Sequence, residues 1–518
     1  METLCRWWYC LAFCFAVHAL VLCAVAGESQ SLPIESSTGG WQEGLSDREL
    51  AIGRWFSQLT FMQDRSELRW PGWHQSREQL GVTSLRYQLA FAGYGCAAMA
   101  AKTPAYRDLV QRQLHDICER MIDRRVWDYV TVYWRYGDDT PDPCLYDNVM
   151  YTGHLTQLMC LYELLTGDTR YSDEGWNFVW RDGRTVNYDL RQAIERLHVQ
   201  TERSRSGGIA CEPDLVFAAC NSHSAASFVL YDTLYGTRYA ETNEKWFDWL
   251  SQRFRIDHAD TTGFFYVVYH QRARLFVPFL DTASDSWTLG WGYPWFPSPD
   301  LAQEGWKHML EKAAWKTQDG EMRHITSSPL IGCCTGDWQP IRNAFIPVLG
   351  VQVEGRHSDT VRQVFDWLEA NYGREADLNG DGHPESYYYS DDGLRIATTG
   401  NIAVALATDG DSLRHLFRTP RTRMLAEPTV ARVDYPNVYV RTAEYIAPTL
   451  RFTVLKGNPA FRGTTEIVCK QIPSPFTVLR NGQPFSDWSL NGTTLVIRTD
   501  LDRQHVFEVV HTATKCPG

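Results

Sequence analysis

No run of lysine or arginine stands out along these 518 residues, and the formal charge is −12. That excludes a nucleic-acid surface, because phosphate binding needs clustered positive charge. No HExxH helix, paired Cys/His zinc spacing, phosphate-binding glycine loop or GxSxG elbow occurs, so the chemistries those motifs carry have no footing. Beyond the first 26 residues nothing is long and apolar enough to cross a bilayer. Cysteine is present but thinly spread. Four of the 14 lie near the start, at positions 5, 10, 14 and 23, and the other ten lack the dense spacing of a disulfide scaffold.

What is plentiful is aromatic and apolar. The chain is 44% hydrophobic and 13% aromatic, with 20 Trp and 25 Tyr, enough to bury a large core. Such a content suits a pocket for a carbohydrate or an apolar small molecule, although a Trp-rich core would look the same. The length exceeds one ordinary core, so two domains or one large toroid is expected. The opening METLCRWWYC, the apolar LAFCFAVHALVLCAVA and the small residues Ala24-Val25-Ala26 read as a signal peptide over 1–26, with an uncleaved anchor as the alternative. Secretion or a secretory-pathway lumen is the expected location. The sequon Asn491-Gly492-Thr493 fits it. Cys469 and Cys516 could clip the C-terminal segment together, while adjacent Cys333 and Cys334 pair elsewhere or stay buried.

From 45 to 420 the pattern is helical. TSLRYQLAFAGYGCAAMAA carries apolar residues at three- and four-residue spacing, and YRDLVQRQLHDICERMID aligns Leu109, Leu114, Ile117 and Met121 on one stripe. LYELLTGDTRY and LYDTLYGTRY resemble each other, each stopping an apolar helix at Gly167 or Gly236, where a left-handed cap is easiest. Recurring helix–turn–helix units predict stacked antiparallel pairs closing into an (α/α) toroid. Segments 175–189 and 263–279 read as β insertions, either covers over the mouth of the ring or plain surface hairpins. Residues 425–518 alternate like strands between Pro and Asn-Gly turns, predicting an appended β-sandwich.

DLNGDGHPE places Asp377, Asn379 and Asp381 at alternating positions, a spacing that suits a calcium loop. Its twelfth position is Tyr388 rather than Glu, and a solvated Asx-rich turn is the simpler account. ACEPDLVFAACNSHSAASF sets Cys211 and Cys220 nine apart. As residues alone, they are a disulfide, buried filler or working thiols. His154 in GHLTQLMCLYELL reads equally as a satisfied core histidine.

Two segments in order, NVMYTGH at 148–154 and CEPDLVFAACN at 211–221, resemble the linalool dehydratase/isomerase family, as does LRYQLAFAGYG at 85–95. The likeness runs intermittently over about 80–290. It implies an (α/α)6 barrel and a cofactor-free lyase/isomerase acting on a small apolar alcohol, with terpenoids in view. On that resemblance His154 is the acid/base histidine, Cys211 and Cys220 are the active-site thiols, and Tyr87 holds the hydroxyl or a water. Met150, Phe217 and Trp287 line the cavity. Two departures stand out. The catalytic aspartate of the family has no residue in register, Asp64 being nearest, and a pocket tyrosine falls near Ala283. A neutral thiol can protonate a leaving hydroxyl while a partner thiolate or His154 accepts a proton. Glu212 and Asp214 would orient the helix end or a water. The rival is a carbohydrate-active toroid using a facing pair among Glu212, Asp214, Asp281 and Asp285. A non-catalytic ligand-binding toroid also stays open, as does a homo-oligomer.

Overall fold

The computed structural model describes residues 43–75, 84–133, 142–256, 263–277, 282–312, 315–318, 321–325, 339–391 and 393–511. The leader, Asp281, Cys333, Cys334 and Cys516 lie outside them, and with them the clip expected between Cys469 and Cys516. The described chain is mostly helical, followed by C-terminal β-sheets.

Six helices are apolar nearly all round and buried: α2 (Ser84–Ala101), α4 (Val149–Thr166), α6 (Ala218–Tyr235), α7 (Thr282–Gly292), α9 (Gln339–Val353) and α11 (Ile396–Ala407). A helix without a polar face must be covered on every side. Their contacts run α2 to α4, α6, α7, α9 and α11, then back from α11 to α2. Close passage depends on missing side chains: a Cβ on Gly400 would lie 2.2 Å from the Phe91 carbonyl oxygen.

Amphipathic helices pack outside this set. They are α1 (Asp47–Leu59), α3 (Asp108–Ile122), α5 (Leu190–Arg203), α8 (Asp300–Lys312) and α10 (Asp359–Tyr372). On α3, Leu114, Ile117 and Met121 are fully buried, whereas Leu109 leans on the C-terminal core instead. Capping boxes start α1 (Ser46 with Glu49) and α5 (Asp189 with Gln192). As expected, α4 and α6 end on left-handed Gly167 (φ 74°) and Gly236 (φ 66°).

Segment 175–189 forms the hairpin Trp176–Val179 with Thr185–Tyr188. The second insertion does more. Val268–His270 pairs with Leu275–Phe276 and with Leu215–Phe217, the strand between the two thiols. C-terminally, a four-stranded and a five-stranded antiparallel sheet share one apolar cluster that includes Val440, Phe452, Ile467, Cys469 and Phe507. Hydrogen bonds from Ala105 and Leu45 to the carbonyls of Ala443 and Arg441 tie it to the helices. No helix among the described residues is long and apolar enough to cross a membrane.

Candidate active site

Chain geometry around residue 210 brings the two cysteines together. Cys211 N–H donates to the Leu215 carbonyl (2.8 Å) and Leu215 N–H to that of Glu212 (2.9 Å). The turn Glu212-Pro213-Asp214-Leu215 has Pro at its second position and left-handed Asp214 (φ 67°) at its third, the pattern of a type II turn. Asn221 then locks the return. Its carbonyl oxygen accepts from Ile209 N–H (2.7 Å), and its amide donates to the carbonyls of Ile209 (3.0 Å) and Phe217 (2.9 Å). The segment before Cys211 is thereby clamped to the first turn of α6, where Cys220 sits. Both thiols are free and buried, and Cys220 lies close enough to act on the Cys211 thiol. Phe217 reaches Cys211 through its backbone N–H.

Tyr87 joins this pair from α2, its hydroxyl 3.8 Å from Cys220 Sγ. Beside it the Arg86 guanidinium lies 4.2 Å from the Tyr87 ring centre and 4.7 Å from that of Tyr129, and donates to Met150 Sδ at 2.7 Å. Met150 therefore braces Arg86. Trp287 stands edge-on to Tyr87 (5.7 Å) and stacks on Phe345 (4.7 Å, 8°). Phe91 packs against both His154 and Trp287.

Two imidazoles lie at the centre. His154 and His223 are both inaccessible, with ring centres 3.9 Å apart. His154 Nδ1 meets the Tyr94 hydroxyl at 2.8 Å, while His154 Nε2 is buried with no protein partner. His223 receives the Trp287 Nε1–H (2.8 Å) and meets Gln157 Oε1 (2.7 Å).

Burial sets the electrostatics. It drives His154 well below the usual histidine range, with His223 and then Arg86 adding to the effect. His223 is lowered by burial alone. Burial also pushes the Cys211 thiol well up, helped by the neighbouring Cys220. Tyr87 rises for the same reason, next to Cys220. Glu212 is half-buried as a residue, but its Oε2 is enclosed and unpartnered. Burial raises its carboxyl to about 7 even though Arg86 opposes the shift. Near neutrality, then, the Cys211 thiol, the Tyr87 phenol and both imidazoles are uncharged, and Arg86, with a partly ionised Glu212, supplies the local charge.

Cys211, Cys220, His154, Tyr87, Met150, Phe217 and Trp287 all belong to this neighbourhood. Asp64 does not. It is exposed, and its carboxylate accepts from the Ser66 N–H and hydroxyl (2.8 Å each), a local turn rather than a site acid. The calcium reading of Asp377, Asn379 and Asp381 also gives way. Asp377 accepts from Gly380 and Gly382 N–H (2.7 Å each), Asn379 from Asp381 N–H (2.9 Å) and Asp381 from His383 N–H (2.9 Å). These oxygens serve the turn itself, and among the described residues no three His, Cys, Asp or Glu side chains gather as a metal cluster. Of the acids named for sugar cleavage, Asp214 faces Arg272 (3.3 Å), and Asp285 takes the N–H groups of Phe264 (2.8 Å) and Phe265 (3.0 Å). Ala283 is buried in the first turn of α7.

Arg86, Tyr94, Gln157 and His223 escaped the reading of the sequence. Their signal was a polar side chain inside an otherwise apolar helix, a placement that survives only where the polar group finds partners.

The family model described as linalool dehydratase/isomerase matches residues 86–375. Among solved structures, the α-1,6-mannanase from Salegentibacter sp. HEL1_6 is 10% identical, with 71% of this chain and 98% of that one covered and a TM-score of 0.39. The unsaturated glucuronyl hydrolase from Bacillus sp. GL1 is 11% identical, with 74% and 100% covered and a TM-score of 0.42. Overlaps this loose decide nothing about chemistry.

Proposed function

The chain belongs to the linalool dehydratase/isomerase family, and from that premise we propose that it is a cofactor-free lyase/isomerase acting on an apolar allylic alcohol. We read its helical part as an (α/α)6 toroid and its two C-terminal sheets as a β-sandwich. The observation that carries the function is the pair of buried free thiols, one of them 3.8 Å from the Tyr87 hydroxyl, beside an imidazole nitrogen with no protein partner.

In this reading Cys211 is the acid. Its buried thiol gives a proton to the hydroxyl oxygen, the C–O bond breaks, water leaves and the thiolate remains as counter-charge to an allylic cation. Tyr87 holds the departing oxygen, and the faces of Trp287 and Phe91 stabilise the positive charge. His154 Nε2 takes a proton from the neighbouring carbon, leaving the diene. A base as weak as this imidazole suffices, because a C–H beside a cation is strongly acidic. Return of that proton to the thiolate closes the cycle, and re-addition of water at the far allylic carbon gives isomerisation. An enclosed aromatic site limits trapping of the cation.

The test is turnover of allylic terpene alcohols by Cys211→Ala and Cys220→Ala with folding verified by circular dichroism. Each should lose roughly 10²–10⁴-fold in kcat, the usual range for a removed acid or base. Full turnover by both overturns the thiol mechanism.

A further inference from the structure

The two histidines at the centre differ in what their nitrogens can still do. An indole N–H only donates, so His223 Nε2, at 2.8 Å from Trp287 Nε1, must present its lone pair. The proton of the neutral ring then sits on Nδ1, where it donates to Gln157 Oε1 at 2.7 Å. Both nitrogens are used, and a second proton on Nε2 would face the indole N–H directly. His154 is placed otherwise. Its Nδ1 partner is the Tyr94 hydroxyl, which can donate or accept, so Nε2 can carry either a lone pair or a proton. Tyr94 also stacks on His223 (5.5 Å, 12°).

We infer that His223 is a positioning residue: the chain Gln157–His223–Trp287 fixes the indole that borders Tyr87, and it leaves His154 Nε2 as the imidazole nitrogen available to substrate. Without His223, the Trp287 N–H loses its acceptor and the ring loses the tether that sets its tilt against Tyr87 and Phe345. The wall facing the alcohol then shifts, while the thiol pair, held from Asn221 and the turn at 212–215, stays in place. This inference rests on the proposed function only in taking Trp287 as a wall of the substrate site.

Two readouts separate it from a plain packing role. The Nε1–H resonance of Trp287, assigned as the indole signal missing from Trp287→Phe, reports the hydrogen bond with no substrate present. His223→Leu should move it upfield to the range of an unbonded indole, and His223→Gln, whose amide oxygen is again an acceptor, should bring it back. Kinetically, His223→Leu should raise KM and cost roughly 10–100-fold in kcat/KM, the scale of a displaced positioning group, with His223→Gln within about threefold of the parent. His223→Leu combined with Trp287→Phe should cost little more than Trp287→Phe alone, since residues acting through one contact are not additive. An unmoved indole signal in His223→Leu, or fully additive losses, overturns the inference. If no allylic alcohol is turned over by any form, the proposed function fails, and the indole signal alone still decides the role of His223.

Discussion

Two stretches of this chain look alike as strings of polar side chains and differ in what those side chains have left to give. In the turn at 377–383, Asp377, Asn379 and Asp381 each have an oxygen engaged by the chain's own N–H groups. In the buried cluster, His154 Nε2 and Glu212 Oε2 have no protein partner. A polar atom enclosed without a partner costs free energy comparable to a lost hydrogen bond. Composition does not separate the two stretches; unspent hydrogen-bonding capacity does.

The sharpest way to break the contrast is to release the clamp beneath the thiols. Asn221→Leu strands the Ile209 N–H and two carbonyls, which should cost about 2–4 kcal/mol, read as a lower urea midpoint. It should also separate the cysteines, read as loss of their mutual crosslinking by a short bifunctional alkylating reagent. The partnered turn has no comparable keystone.

Next come the buried imidazoles. Both are held below their ordinary 6.5 by burial, so as pH falls through 6.5 the unfolded chain takes up protons that the native one refuses. Stability then drops by about 1.4 kcal/mol per pH unit for each ring. Urea midpoints at pH 7 and pH 5 should show the loss, and His223→Gln should reduce it by about 1.4 kcal/mol per pH unit. Glu212 acts with opposite sign. Its native carboxyl is raised from 4.5 to about 7, so the native state keeps a proton the unfolded chain has already released, and stability falls as pH climbs through that window. The difference between Glu212→Gln and the parent should widen in favour of the variant from pH 4.5 to pH 7 and stay level above it. An unchanged difference would mean that Glu212 is solvated.

The smallest effects belong to the surface turns. Asp64→Asn and Asp377→Asn should leave turnover unchanged and barely move the urea midpoint, and added calcium should not shift the melting temperature. A calcium-dependent rise would restore the metal reading at 377–385.

Much of the helical frame was legible in advance. Gly167 and Gly236 stop their helices as expected, because a residue without Cβ is the easiest way to turn the chain left-handed. The alternation at 175–189 and beyond 425 became antiparallel strands for an equally local reason. The two thiol segments stood out by likeness to a family rather than by any property of cysteine. Asp64 misled because a carboxylate near the right position carries no mark of whether a neighbouring Ser has already claimed it. Arg86 and His223 went unseen because each is one polar letter in an apolar helix, and its partner lies on another helix.

By itself, then, the order of residues determined what depends on neighbours a few positions away: helix periodicity, left-handed stops and strand alternation. Only the tertiary structure decided which polar atoms are spent. His223 is 66 residues from Gln157 and 64 from Trp287, and hydrogen-bond satisfaction across such separations arises only when helices pack. Whether a buried nitrogen is a strut or remains open to a substrate is settled by that packing.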